Sequence, residues 1–154
     1  MERTKNIFDK IGALIPGYRG YAEREGRRQC DKLLREKIVS MLEQCETTIS
    51  ERIDESIKEK SEKTKVLESN RKYLNTTTSK IKFSPYGTSS FFSNSQIKEP
   101  ELSEIYKKDL EILEQAVSFK QDLENDNNPN NVEMEIKAIE SLLNDRNQFI
   151  KEFK

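Results

Sequence analysis

The sequence lacks several residue types on which common active sites depend. Its 154 residues include no histidine and no tryptophan, and only five glycines and two cysteines. Without histidine there is no Ser-His-Asp or Cys-His catalysis and no histidine ligand for a metal. Five scattered glycines form neither a Walker loop nor a dinucleotide-binding fingerprint. The composition therefore argues against an enzyme, and we predict no catalytic residue, no cofactor, no metal and no small-molecule substrate.

Long apolar runs are also missing. The most apolar N-terminal stretch, residues 11–15, is too short for the core of a signal peptide, and no run approaches the roughly 18 residues that span a bilayer. Cys30 and Cys45 fall on one predicted helix, about 22 Å apart, which is too far for a disulfide. We therefore expect two semi-buried thiols in a cytoplasmic chain, with peripheral attachment to the inner face of the membrane as an alternative.

Charged residues are abundant. They make up 36% of the chain, against a usual share of about 25%, while hydrophobic residues make up 33% and the net charge is −1. Apolar residues recur every three or four positions, which is the spacing of one helical face. We predict an all-α fold in a single elongated domain over residues 1–154. It is an antiparallel three- or four-helix bundle with coiled-coil character, built from one long helix and a C-terminal helical hairpin.

The predicted elements follow from this spacing and from the turn residues. They are a short amphipathic helix at 4–15, a long helix at 21–81, a loop at 83–98, and two further helices at 100–124 and 131–153. Because no Gly or Pro lies between Gly26 and Pro85, the long helix is either a single rod or breaks once, near 46–50 or near 69–73. Part of the loop should pack back onto the core through its aromatic residues Phe83, Tyr86, Phe91 and Phe92.

The N-terminal part of the chain supplies the candidate binding residues, thirteen in all. The apolar face of the first helix consists of Ile7, Phe8, Ile11, Leu14 and Ile15. A Pro-Gly turn with two tyrosines, Tyr18 and Tyr21, follows it. The sharpest basic cluster of the chain comes next and consists of Arg19, Arg24, Arg27, Arg28, Lys32 and Arg35.

Several interpretations of the basic cluster are open. It can form pairs within the chain, such as Asp31 with Arg35 four residues later. It can bind an anionic membrane surface beside an inserted amphipathic helix, or an acidic protein partner. Nucleic acid is disfavoured, since the pI is about 5.8 and no recognised binding motif is present.

Two other features have a structural interpretation that we favour. The first helix is more typical of a cap folded onto the end of a bundle than of a lipid-binding face, and the aromatic residues Tyr18, Tyr21, Tyr86 and Phe92 fit the core better than a recognition surface. Paired carboxylates on the C-terminal helices are typical of a solvated face, since carboxylate-bridged metal bundles also use histidine. These pairs are Glu101 with Glu104, Glu111 with Glu114, and Glu133 with Glu135.

Residues 15–36 fit the pattern IPGYxGYxxRExRRxxDKxLRE, and Phe8-Asp9-Lys10 precedes them. This segment resembles the start of a family of small, uncharacterised bacterial helical proteins, and the resemblance covers about residues 5–36. It implies a bacterial, cytosolic, helical protein and carries no activity.

These observations lead to one functional prediction and one alternative. We predict a non-catalytic helical interaction or scaffold protein that docks a partner, or a second copy of itself, through residues 7–35. The alternative is a peripheral membrane protein that inserts residues 5–15 and places Arg19 to Arg35 on anionic headgroups.

Overall fold

The computed structural model describes residues 2–84, 89–93, 96–125 and 129–153. The elements in these ranges are helical, and four of them form a bundle, which confirms the all-α prediction. The α-helices are α1 (Glu2–Leu14), α2 (Arg27–Lys58), α3 (Thr64–Lys82), the four-residue α4 (Ser90–Ser93), α5 (Glu99–Asn125) and α6 (Val132–Glu152).

The predicted long helix is two helices, and both predicted break points are wrong. The chain turns at residues 59–63, where Lys60 adopts the left-handed conformation (φ 53°). The Ser61 N–H donates to the Ser56 carbonyl (2.8 Å), and the Lys60 N–H donates to the Ile57 carbonyl (3.1 Å). This is a Schellman C-cap, which normally places glycine at the left-handed position. The end of α2 could not be predicted from the sequence, because a lysine occupies this left-handed position.

The other boundaries shift in smaller ways. The second helix begins at Arg27 rather than at residue 21, because a non-helical segment and a 3-10 turn (Arg24–Gly26) precede it. The predicted loop at 83–98 contains α4, in which Phe91 and Phe92 are buried as expected. Phe83 instead remains 77% exposed, and Tyr86 lies outside the described residues.

The bundle consists of two antiparallel hairpins, α2–α3 and α5–α6. Helix α2 packs against both α3 and α5, and α6 packs against the same two helices. Helices α3 and α5 therefore occupy opposite corners. The connection between them must therefore span this diagonal, which accounts for its length, and its described part α4 packs on α6. It also makes α2 run in the same direction as α5, as shown near their C-terminal ends by the hydrogen bond from the Arg52 guanidinium to the Leu123 carbonyl.

Candidate functional site

Helix α1 packs on α5 and contributes to the core of the protein. Ile11 and Ile15 are buried, while Ile7, Phe8 and Leu14 are partly buried and pack against the same core. The apolar face that the sequence offered to a partner or a membrane is therefore covered within the chain. This arrangement supports the interpretation of α1 as a cap, and insertion of residues 5–15 into lipid would require α1 to leave the core.

The segment after α1 crosses the bundle end in a turn that depends on glycine. Gly17 and Gly20 both have positive φ, at 89° and 81°. A Cβ at Gly20 would collide with the hydroxyl of Tyr106 and would lie 2.6 Å from the Phe8 ring. This close approach lets the Tyr21 N–H donate to the Tyr106 hydroxyl at 2.9 Å. Gly20 is thus the point at which the N-terminal segment is pressed onto α5.

Beneath this turn lies a buried polar network centred on Arg146 of α6. Its guanidinium pairs with the carboxylates of Asp109 (2.5 Å) and Asp31 (2.8 Å), and all three side chains are fully buried. Tyr18 and Tyr21 each donate a hydroxyl to Asp109 Oδ2, at 2.7 and 2.6 Å. The network therefore ties the N-terminal segment to α2, α5 and α6 at once. We call these five residues the latch.

Burial and neighbouring charges fix the protonation states in the latch. Burial raises the pKa of Tyr18 well above its ordinary value, and the Asp109 carboxylate raises it further. Burial also raises the pKa of Tyr21, and this outweighs the lowering effect of Arg146. For Arg146 burial alone would lower the pKa, but Asp109, Tyr21 and Asp31 together raise it well above the usual value. Both tyrosines stay neutral and the arginine stays charged near neutral pH.

The structure divides the predicted basic cluster into an inner and an outer set. Arg27 is fully buried and donates to the carbonyls of Tyr21 (2.8 Å) and Phe91 (3.1 Å). Arg35 is largely buried and pairs with Asp31 at 3.0 Å. The predicted i,i+4 pair is thus confirmed, and these two arginines are structural.

The outer set consists of exposed residues, and we call it the basic edge: Arg19, Arg24, Arg28 and Lys32. Arg28 already has a contact within the chain, because its guanidinium lies 5.8 Å from the Phe92 ring centre. Arg24 and Lys32 have acidic neighbours at the outer limit of an ion pair. Arg24 lies 4.0 Å from Glu25, and Lys32 lies 3.9 Å from Glu36. Exposed pairs of this kind contribute roughly 0–1 kcal/mol, so a carboxylate of another molecule can replace them.

Asp109 and Arg146 are the residues that the sequence reasoning missed. Arg146 carried a signal, because it falls on the apolar stripe of α6 where a charged side chain needs a buried partner. Asp109 lies between buried Tyr106 and Leu110 on α5 and carried the same signal. Which carboxylate would meet which arginine depends on the packing of three helices, which spacing along one helix does not give.

The cysteines and the paired glutamates of the described ranges do not come together in a second site. Cys30 and Cys45 are free, as predicted, and they are fully buried rather than semi-buried. Burial raises the pKa of each thiol to about 12. Glu104 and Glu133 pair with the lysines four residues after them. Within the described ranges no three Asp, Glu or Cys side chains gather as a metal site, and no described helix is long and apolar enough to cross a membrane.

Two open depressions flank Arg35. One, of about 200 Å³, lies between α3 and α6 and contains both Lys80 and Glu140. The other, of about 360 Å³, lies between α2 and α3 and contains Lys32 and Lys82 together with Glu36 and Glu43. Because each depression mixes both charges, neither indicates one class of ligand.

No protein-family model matches the chain, and no curated protein or solved structure matches it either. The family resemblance of residues 5–36 therefore stays a prediction.

Proposed function

We propose that the chain is a non-catalytic helical interaction protein that binds an acidic protein partner through the basic edge, formed by Arg19, Arg24, Arg28 and Lys32. The observation that supports this proposal is the division of the cluster. Arg27 and Arg35 are used inside the fold, whereas the four outer cations are exposed at the end of the bundle that the latch holds together. A rigid support lowers the entropic cost of binding.

The buried position of the latch favours a binding role over a catalytic one. Asp31 and Asp109 are fully buried, and both pair with the buried Arg146. A substrate cannot reach them unless the bundle opens. The resemblance and the two reduced thiols favour the bacterial cytoplasm as the location, and a second copy of the chain is the other partner that we consider.

A capture experiment with a charge-reversed variant tests this proposal. The immobilised full chain is exposed to a bacterial lysate beside a variant with Arg19→Glu, Arg24→Glu and Lys32→Glu. A matched control carries Lys107→Glu, Lys120→Glu and Lys137→Glu, which change the net charge equally on α5 and α6. We expect an acidic protein that is captured by the native chain and the control, is lost with the variant, and binds again when purified.

If the native chain, the basic-edge variant and the control all captured the same proteins, this result would contradict the proposal. Light scattering of the native chain alone distinguishes a foreign partner from a second copy. A dimer that the basic-edge substitutions dissociate would replace the acidic partner with the chain itself.

A further inference from the structure

The outer face of α3 carries a concentration of exposed positive charge. Five of its exposed residues are basic, and Glu68 is its single acidic residue. The cations cover about 26 Å of helix from first to last. They are Lys65, Arg71, Lys72, Lys80 and Lys82. We call this surface the α3 face, and it is separate from the basic edge.

These cations have no ion-pair partner among the described residues, in contrast to three lysines on α5 and α6. Lys108, Lys120 and Lys137 each pair with a glutamate four residues away on their own helix. On α3 the corresponding positions are mostly uncharged, and Glu68 does not come within ion-pair distance of Lys72. The cations of α3 therefore form no ion pair among the described residues. Acidic side chains of other helices lie nearby: burial raises the pKa of Glu46 on α2 and Arg71 partly offsets that rise, and Lys80 shares a depression with Glu140.

An exposed aromatic residue adjoins these cations. Phe83 follows directly after α3 and is 77% exposed, the highest value among the large hydrophobic residues described. Its ring centre lies 5.8 Å from the ammonium nitrogen of Lys82. Phe91 and Phe92 are buried at the end of the bundle, whereas the Phe83 side chain is not part of the core.

The rest of the molecule orients the α3 face. Helix α5 lies at the opposite corner and carries eight acidic and three basic residues. An anionic surface would therefore attract the α3 corner and repel the α5 corner, although the net charge of the chain is −1. Charges more than about 10 Å from such a surface are largely screened at physiological salt, so the near corner dominates.

We propose that the α3 face, together with Phe83, is a peripheral binding surface for anionic lipid bilayers. An anionic bilayer supplies a partner for both kinds of side chain. Its headgroup phosphates pair with the cations, and the region beneath the headgroups accepts the phenyl ring. Each basic residue near an anionic membrane strengthens binding about fivefold. The phosphates of duplex nucleic acid would satisfy the cations and leave Phe83 in water. The proposal uses α3 and keeps α1 in the core.

Co-sedimentation of the full chain with vesicles tests this proposal. One set of vesicles is phosphatidylcholine alone, and the other contains phosphatidylglycerol at about one third of the lipid. We expect salt-sensitive binding to the anionic vesicles only. The variant Arg71→Glu with Lys72→Glu should weaken this binding at least about a hundredfold, and Phe83→Ser should weaken it about tenfold.

The matched control is Lys107→Glu with Lys120→Glu, which changes the net charge equally on α5. It should weaken binding less than about threefold, because α5 faces away from the surface. Circular dichroism and thermal unfolding of each variant report whether the fold is intact. All of these substitutions lie outside the basic edge, so the result is independent of the acidic-partner experiment.

Several results would overturn the proposal. They are an absence of binding at low salt, equal binding to neutral vesicles, and equal losses for the α3 variant and the α5 control. A fourth result that would overturn the proposal comes from fluorescence anisotropy with a short DNA duplex. Tighter binding to the duplex than to the vesicles, unchanged by Phe83→Ser, would assign the α3 face to nucleic acid.

Discussion

The two halves of the bundle are held together in different ways. In the half that contains the latch, Arg146, Asp109 and Asp31 form ion pairs at zero exposure. In the other half the interior is formed mainly by apolar side chains such as Ile49, Phe119 and Ile136, and its buried polar side chains, Ser56 and Asn70, are uncharged. Apolar contact has no preferred direction, whereas a buried ion pair stabilises only one arrangement of its partners. We interpret the apolar half as the source of stability and the latch as the device that fixes the N-terminal segment.

The largest effect should come from removing the central cation of the latch. The substitution Arg146→Met keeps a side chain of similar length but leaves the Asp109 carboxylate buried without a counter-charge, while Asp31 retains Arg35. The free energy of unfolding should therefore fall by about 3–5 kcal/mol. In the apolar half Ile136→Val should cost only about 0.5–1.5 kcal/mol. Urea denaturation measures both values. Equal losses would show that the two halves do not differ in this way.

The reactivity of the two thiols allows a direct comparison of the halves, because Cys30 lies beside the latch and Cys45 lies in the apolar half. Burial raises both pKa values from 9.0 to about 12, so each native thiol should react about a thousandfold more slowly at pH 8 than in the unfolded chain. Because the folded pKa is raised, the stability from burying each thiol is complete below pH 9 and disappears as the pH rises towards 12.

Ellman's reagent, applied to Cys30→Ala and Cys45→Ala separately, measures these rates. Similar protection means that the two halves open together. A much faster reaction of Cys30 would show that the latch half opens locally, and the two halves would then be separate units of unfolding.

A glycine series tests how tightly the N-terminal segment is held. Gly20→Ala should destabilise the protein by about 2–4 kcal/mol, since the new methyl group meets Phe8 and Tyr106 in a left-handed conformation. Gly17→Ala has the same backbone problem but more space, because the nearest contact is Leu33 at 3.7 Å, so about 1 kcal/mol is expected. Gly12→Ala lies in open space on α1 and should stabilise by about 0.5–1 kcal/mol. Thermal unfolding that shows equal shifts for all three variants would contradict the close approach at Gly20.

The smallest effect concerns the turn at the apolar end. Lys60 has positive φ, and glycine adopts this conformation without strain, so Lys60→Gly should stabilise by about 0.5–1 kcal/mol. The neighbouring change Glu59→Gly should destabilise by about the same amount, because Glu59 has an ordinary helical φ of −85°. Chemical denaturation of the pair checks the sign, and destabilisation by both substitutions would rule out strain at Lys60.

Features that depend on local periodicity were accessible from the sequence. The C-terminal helical hairpin was correct, and the free thiols and the Asp31–Arg35 pair were also correctly predicted. Two features of the structure could not be predicted from the sequence, and each has a physical reason. The turn at Lys60 carries no glycine, and the exposure of Phe83 depends on where the connection crosses the bundle end.

The sequence by itself determined the helices and their apolar faces, because helix propensity and the three-to-four spacing act within a few turns. It also placed the glycines that permit the N-terminal turn. Only the tertiary structure decided which charges serve the fold and which remain available for binding. Arg27, Arg35 and Arg146 find carbonyl or carboxylate partners on other segments, whereas the cations of α3 find none among the described residues. The physical reason is that burial and pairing of a charge depend on neighbours distant along the chain.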